Sequence, residues 1–195
     1  MLNEHQRPER VGEMEARFVV ATHCNADCYF CLNEYVGSKS TKTSLTSAHY
    51  EQIMGTLADL GVTKSTISGG EPTLRGDLKD IVVVLRPKNT NLTMVSNGYK
   101  LAEHPEAVER LDELHVSYHS MDPQEWHRIT KIKDGPQKVN HNLFSVSNLR
   151  NPPKIKLNVV AEEQNSSPGE IQKYLALARS LGAQINVFKE GYHTL

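Results

Sequence analysis

At 195 residues and 21.9 kDa, with 38% hydrophobic and 23% charged residues, the chain has the composition of an ordinary globular protein that can bury a core without disulfides. A formal net charge of -1 supplies no basic excess to suggest a nucleic acid or an anionic membrane as partner. No run approaches the ~20 apolar residues of a membrane span, and the N-terminus lacks the apolar centre of a signal peptide, so a cytoplasmic protein is expected.

Residues 1–15 are polar and read as an N-terminal arm ahead of a core domain over 16–195. The first strand is expected at Ala16 to Ala21. Thr46 or Ser47 can cap a helix whose apolar residues Tyr50, Ile53, Met54 and Leu57 recur at helical spacing, with Gly61 as its stop. A second strand over Val62 to Ser68 leads through GGEPTLRG to a helix marked by Leu78, Ile81, Val82 and Leu85 and halted by Pro87. A third strand is expected over Asn91 to Ser96, a short helix from Pro105 to about Leu111, and a fourth strand over Glu113 to His119. Asp122, Pro123 and Glu125 form a helix start. Val139, Leu143, Val146 and Leu149 share a helical face before the Asn151-Pro152-Pro153 break hands the chain to a fifth strand, Lys154 to Val160. The last helix carries an apolar stripe of Ile171, Tyr174, Leu175, Ala178 and Leu181 and ends at Gly182, ahead of a sixth strand over Ala183 to Phe188. Six strands alternating with helices call for parallel βαβ units, in an open doubly wound sheet or a curved barrel-like one.

All three cysteines, Cys24, Cys28 and Cys31, fall in the loop THCNADCYFC directly after the first strand. An odd, clustered set cannot staple a secreted scaffold and points instead to a metal. By themselves they fit an iron-sulfur cube with one iron lacking a protein ligand, a zinc site completed by His23 or a distant histidine, or merely neighbouring thiols. Ser68-Gly69-Gly70-Glu71-Pro72 follows the second strand on the same edge of the sheet, where loops after parallel strands gather. Its paired glycines let backbone approach a ligand closely, and Glu71 offers a carboxylate to a cationic amine.

Cys-x3-Cys-x2-Cys after strand one, joined to Gly-Gly-Glu-Pro after strand two, closely resembles the radical S-adenosylmethionine (SAM) superfamily. Ser96-Asn97-Gly98, Val116-Ser117-Tyr118-His119, LNVV at 157–160 and NVFKE extend the resemblance to the branch of the molybdenum-cofactor GTP cyclase. The resemblance implies an α/β fold, a partial (β/α)6 TIM-like barrel of parallel strands, with a [4Fe-4S] cluster and SAM at the carboxyl ends of the strands. It also implies reductive cleavage of SAM to a 5'-deoxyadenosyl radical that takes hydrogen from a substrate. By position, Cys24, Cys28 and Cys31 match the cluster ligands, Gly69, Gly70 and Glu71 the motif for the methionyl amine, and Phe30 the apolar position beside the adenine. Asn97, Ser117 and Asn158 match places that contact SAM or shape its pocket. As bare residues, Phe30 reads equally as a core aromatic, Asn97 as a turn residue and Ser117 as an ordinary strand serine.

Two residues depart from the pattern. Many members of the branch carry Asp where this chain has His119, a side chain able to become a cation and expected on the interior face with Ser117. It is read either as a binding or proton-transfer group or as a satisfied structural histidine. Lys156 shares the face of Asn158, where an ammonium needs an anion, so it is read as a site for a substrate phosphate or carboxylate or as a snorkelling lysine at the barrel floor. Asn33 and Tyr35 lie within reach of the pocket without a specific signal. With no fourth cysteine, the chain cannot bind an auxiliary cluster through its own thiols. It is therefore expected to run a single-cluster reaction on a polar small-molecule biosynthetic substrate, with an external electron donor such as flavodoxin or ferredoxin. The alternatives are a peptide- or protein-modifying member and a non-catalytic iron-sulfur or zinc protein. Because little sequence follows strand six, the open side of the barrel is expected to be covered by the N-terminal arm and a partner surface, including that of a homo-oligomer.

Overall fold

The computed structural model describes residues 14–31, 45–86 and 90–189. Its framework is one sheet of six parallel strands in sequence order: β1 (Met14–Ala21), β2 (Val62–Gly69), β3 (Asn91–Ser96), β4 (Glu113–Ser117), β5 (Lys154–Ala161) and β6 (Gln184–Lys189). Helices α1 (Ser47–Asp59), α2 (Leu78–Leu85), α3 (Pro105–Val108), α4 (Pro123–Thr130), α5 (Gly135–Ser147) and α6 (Pro168–Leu181) fill the crossovers. The strand order decides between the two architectures open to the sequence. A doubly wound sheet reverses its order at a switch point, whereas this order never reverses, so right-handed crossovers set every helix on one face and the sheet curls around the other.

Strand alternation then divides the residues. Phe18 and Val20, Ile67, Leu92 and Met94, Leu114 and Val116, and Ile155, Leu157 and Val159 face the helices and are buried with Met54, Leu78, Ile81, Leu85, Leu143 and Trp126. Each such large apolar side chain contributes about 1.5–3 kcal/mol relative to exposure. The concave face carries the other set in registered rows, Val95 beside His115, Lys156 and Gln184, then Ser117 beside Asn158 and Asn186. That face is polar.

The structure departs from the expected boundaries and buried faces in several places. Strand β4 stops at Ser117, so His119 lies beyond the pleat rather than on it. The helix after Pro105 is one turn, preceded by a 3-10 turn at Leu101–Glu103. Ile53 of α1 is exposed rather than buried. On α6 the buried stripe is Tyr174, Leu177, Ala178 and Leu181, while Ile171 and Leu175 are exposed, because they border the open edge of the sheet beside β6 where no further strand covers them. The caps follow local chemistry: Asp122 Oδ1 accepts from Gln124 N at 2.9 Å and Glu125 N at 2.8 Å, and Ser167 Oγ accepts from Glu170 N at 3.3 Å. Most of the N-terminal arm, Asn33, Tyr35, Pro87 and the last six residues lie outside the described residues; Met14 and Glu15, assigned to the arm, begin β1. Among the described residues no helix is long and apolar enough to cross a membrane.

Candidate functional site

The loop that carries the cysteines is pinned from three sides. At its start, Gly70 N donates to Ala21 O at 2.6 Å and Glu71 N to His23 O at 2.9 Å, which sews the turn after β2 onto the end of β1. The glycines are needed for this contact. Gly69 sits at φ +144°, and a Cβ there would lie 2.2 Å from Ala21 O; a Cβ on Gly70 would lie 2.3 Å from His23 O. The close backbone approach that these glycines allow in the structure is to the chain's own cysteine loop. In the middle, Asp27 N donates to Thr130 O at 2.9 Å and Tyr29 N to Ile129 O at 3.3 Å, using carbonyls of the last turn of α4 that have no partner within the helix. On the outer side the Tyr29 hydroxyl donates to Glu162, which also accepts from Arg128, and the Arg128 guanidinium lies 5.2 Å from the centre of the Tyr29 ring. Of these partners, the ones on α4 and after β5 carried no sequence signal, since each lies far along the chain from the cysteines.

Glu71 is almost fully buried, and its carboxylate is a hub. Oε1 accepts from Thr73 N at 3.0 Å, Thr73 Oγ1 at 2.6 Å and Ser96 Oγ at 2.8 Å, and Oε2 accepts from Asn97 N at 2.7 Å. One side chain therefore caps the 3-10 turn Pro72–Leu74 and ties the ends of β2 and β3 together. Burial pushes its carboxyl up from the usual carboxylate range, against the downward pull of those hydrogen bonds. Every donor is neutral, and among the described residues no salt bridge reaches it.

Asn97 turns toward the cysteine loop. Its Nδ2 donates to Asn25 Oδ1 at 2.7 Å and approaches Cys24 Sγ at 3.8 Å, while its Oδ1 accepts from Tyr99 N at 3.0 Å. The chain turns there through Gly98 at φ +80°, where a Cβ would meet Val139 and Val116 at 2.8 and 2.9 Å. Asn97 is a turn residue and a neighbour of a cysteine sulfur at once.

These parts surround a cavity of about 190 Å³ at the carboxyl ends of β1 to β4. Cys24, Cys28, Phe30, Cys31, Gly69, Gly70, Glu71, Asn97, Ser117 and His119 all line it. Trp126, Thr130 and Ile132 also line it and went unrecognised in the sequence, because residues after β4 reach the cavity only through the docking of α4. Phe30 meets His119 edge-on at 4.9 Å between ring centres. His119 is buried, and desolvation lowers its pKa to about 4, so this side chain, able in principle to become a cation, is held as a neutral imidazole.

Two expected site residues do not line the cavity. Asn158 is level with Ser117, and its Oδ1 accepts from Asn186 Nδ2 at 3.0 Å. Lys156 lies one row lower, where its Nζ donates to Glu113 Oε2 at 2.7 Å; the same oxygen lies 3.1 Å from His115 Nε2. The anion that Lys156 requires is internal, which replaces the expected substrate phosphate or carboxylate. A larger, apolar groove of about 340 Å³ runs between α6 and the β5–β6 edge, away from every one of these residues.

The donor set favours a cluster over a single ion. Cys24, Cys28 and Cys31 come from one loop and line one cavity, and no fourth cysteine is available to complete a four-thiolate zinc site. Three thiols lining one cavity fit a cube, whose irons take one thiolate each. Burial pushes Cys28 up to about 12, with Cys24 and Cys31 adding to the rise, and burial pushes Cys24 up as well. Cys24 and Cys28 are thus thiols that a metal centre would deprotonate by ligation.

A curated protein from Thermococcus kodakarensis named "Probable GTP 3',8-cyclase" is 31% identical over 176 residues, covering 89% of this chain and 55% of the relative. One of the same name from Pyrobaculum aerophilum is 31% identical over 173 residues, 87% of this chain and 55% of the relative. The chain spans about half the length of these curated relatives. Among solved structures, Streptococcus suis SuiB bound to S-adenosylmethionine superposes with a TM-score of 0.78 at 16% identity, over 93% of this chain and 42% of that one, which supports the fold. The model of the Radical SAM superfamily matches residues 18–151, more than half of the chain and the whole stretch from the cysteine loop through α5. On that match the chain belongs to the radical SAM superfamily of enzymes, whose members bind a [4Fe-4S] cluster and SAM.

Proposed function

We propose that this protein cleaves SAM reductively and uses the product to abstract hydrogen from a polar small molecule in a biosynthetic pathway, drawing electrons from an external donor of the flavodoxin or ferredoxin type. The observation that carries this reading is the convergence on one cavity of three cysteines from the loop after β1 and the Gly-Gly-Glu turn after β2. Cys24, Cys28 and Cys31 would hold the cluster and leave one iron open. The chemistry supplied by the bound cluster and SAM is one-electron cleavage of a SAM sulfur-carbon bond, which yields a hydrogen-abstracting radical. The chain's own contribution is placement. Glu71 presents a buried carboxylate without a cation of its own to the methionyl ammonium, a charge-assisted contact worth about 1.5–3 kcal/mol. Phe30 supplies an apolar edge for the adenine, Asn97 directs an amide at Cys24 Sγ, and Ser117 brings a hydroxyl to the same wall. The polar row Ser117, Asn158 and Asn186 supports a polar substrate, and the curated relatives make GTP the first one to try.

Protein reconstituted anaerobically with iron and sulfide should contain a cluster by iron analysis and electron paramagnetic resonance, and should form 5'-deoxyadenosine from SAM once reduced. Cys28→Ala should abolish both, and undiminished turnover in that variant overturns the assignment. Added GTP then separates the finer question: its consumption identifies a cyclase-like substrate, while 5'-deoxyadenosine formation with GTP untouched keeps the reaction class and removes that substrate.

A further inference from the structure

His119 is held more tightly than a space-filling residue needs to be. Its carbonyl accepts from Asn165 Nδ2 and from the Tyr174 hydroxyl, both at 2.9 Å, its Nδ1 accepts from Val160 N at 3.3 Å, and its ring packs edge-on against Phe30. These anchors come from the turn after β5, from α6, from β5 and from the cysteine loop, so four separate elements fix the residue, two at its carbonyl and two at its ring. A neutral ring whose Nδ1 accepts a hydrogen bond carries its proton on Nε2. That Nε2 has no partner among the described residues, yet the only sealed and unpartnered side-chain polar atoms are His23 Nδ1 and Trp126 Nε1. It is therefore open to the cavity that His119 lines.

Resting on the function proposed above, we infer that His119 is a fixed, neutral hydrogen-bond donor whose Nε2–H reads an oxygen acceptor of the molecule in the cavity, on SAM or on the substrate beside it. Burial holds the ring neutral, and the carboxylates on the surrounding elements are engaged elsewhere, Glu71 with Thr73, Ser96 and Asn97, and Glu162 with Tyr29 and Arg128. His119 is thus a binding residue rather than a proton carrier. The position gives the site a hydrogen-bond donor.

Nitrogen-15 NMR of the full chain with labelled histidine should show one neutral Nε2–H tautomer that persists over about pH 6 to 8 and disappears in His119→Phe. An Nδ1–H tautomer or an imidazolium at this residue overturns the inference. The measurement needs neither cluster nor SAM, so it can fail while the proposed function stands. On reconstituted protein, His119→Phe should weaken binding of SAM or of GTP by about 10-fold with iron content unchanged, and His119→Gln, which keeps an amide donor, should recover most of the loss. A loss for SAM places the acceptor there; a loss for GTP alone places it on the substrate. Unchanged SAM affinity with no loss of GTP affinity overturns the inference, whether or not GTP binds the wild type. Should the Phe variant fail to fold, the tautomer and the Gln variant still decide.

Discussion

Two buried or half-buried carboxylates at opposite ends of the same barrel are neutralised in different ways. At the lower end, Glu113 meets the ammonium of Lys156 at 2.7 Å, an internal pair that is partly exposed and complete without any ligand. At the upper end, Glu71 is sealed from solvent and receives four hydrogen bonds from neutral groups but no cation. A charge matched by its own chain belongs to the scaffold. On the function proposed above, a buried charge satisfied in geometry but not in sign is the one that would receive a cationic ligand.

The largest effect expected from breaking the upper region is that of Gly70→Ala. The added methyl meets backbone atoms of His23, which cannot swing aside, so a loss of about 3 kcal/mol or more is expected in denaturant unfolding, together with loss of cluster assembly. Glu71→Gln comes next. It preserves shape but turns an amide NH2 toward groups that are all donors, which should cost about 1–3 kcal/mol and also weaken SAM binding. Because the same carboxylate ties β2 to β3, some iron loss should accompany the loss of affinity. Retained stability with lost SAM binding would make Glu71 a ligand contact alone.

Lys156→Met at the lower end should cost at most about 1 kcal/mol, diminish further in high salt, and leave SAM affinity unaltered. A large drop in SAM binding there would show that the two ends are not independent. The smallest effect separates them by pH. The Lys156 hydrogen bond holds the Glu113 carboxyl below its usual range, so its contribution is present above the ordinary glutamate value and is lost as pH falls through the lowered folded value. Burial raises Glu71, so its contribution is present below the ordinary value and is lost as pH rises through the raised one. Between wild type and Glu113→Gln the stability gap should therefore close on acidification, while SAM affinity in the wild type should fall over the window where Glu71 becomes protonated. Affinity flat across that window would remove Glu71 from the ammonium site.

Much of the fold was legible because its cues are local. Strand β3 lies at Asn91–Ser96, as the apolar run between turn residues indicated, and the caps at Asp122 and Ser167 follow from side-chain chemistry within three residues. The α6 stripe was partly misread, since helical periodicity names two adjacent faces and only the packing against β6 shows that Leu177 is buried and Leu175 is not. In the site, the cysteines and the Gly-Gly-Glu turn could be placed on one edge from strand order alone. The part played by the glycines could not, because the carbonyls they accommodate belong to Ala21 and His23, more than forty residues earlier.

By itself, then, the sequence determined the alternation of strands and helices, the set of donor atoms and the family, all of which rest on side-chain identity and short-range spacing. Tertiary structure alone decided what each polar group meets. Strand register gave Lys156 the carboxylate of Glu113, the docking of α4 supplied the carbonyls that hold the cysteine loop, and the end of β5 brought Val160 N to His119 Nδ1. The physical reason is that burial and hydrogen-bond partnership depend on distances between residues remote in the chain, and neither periodicity nor composition encodes those distances.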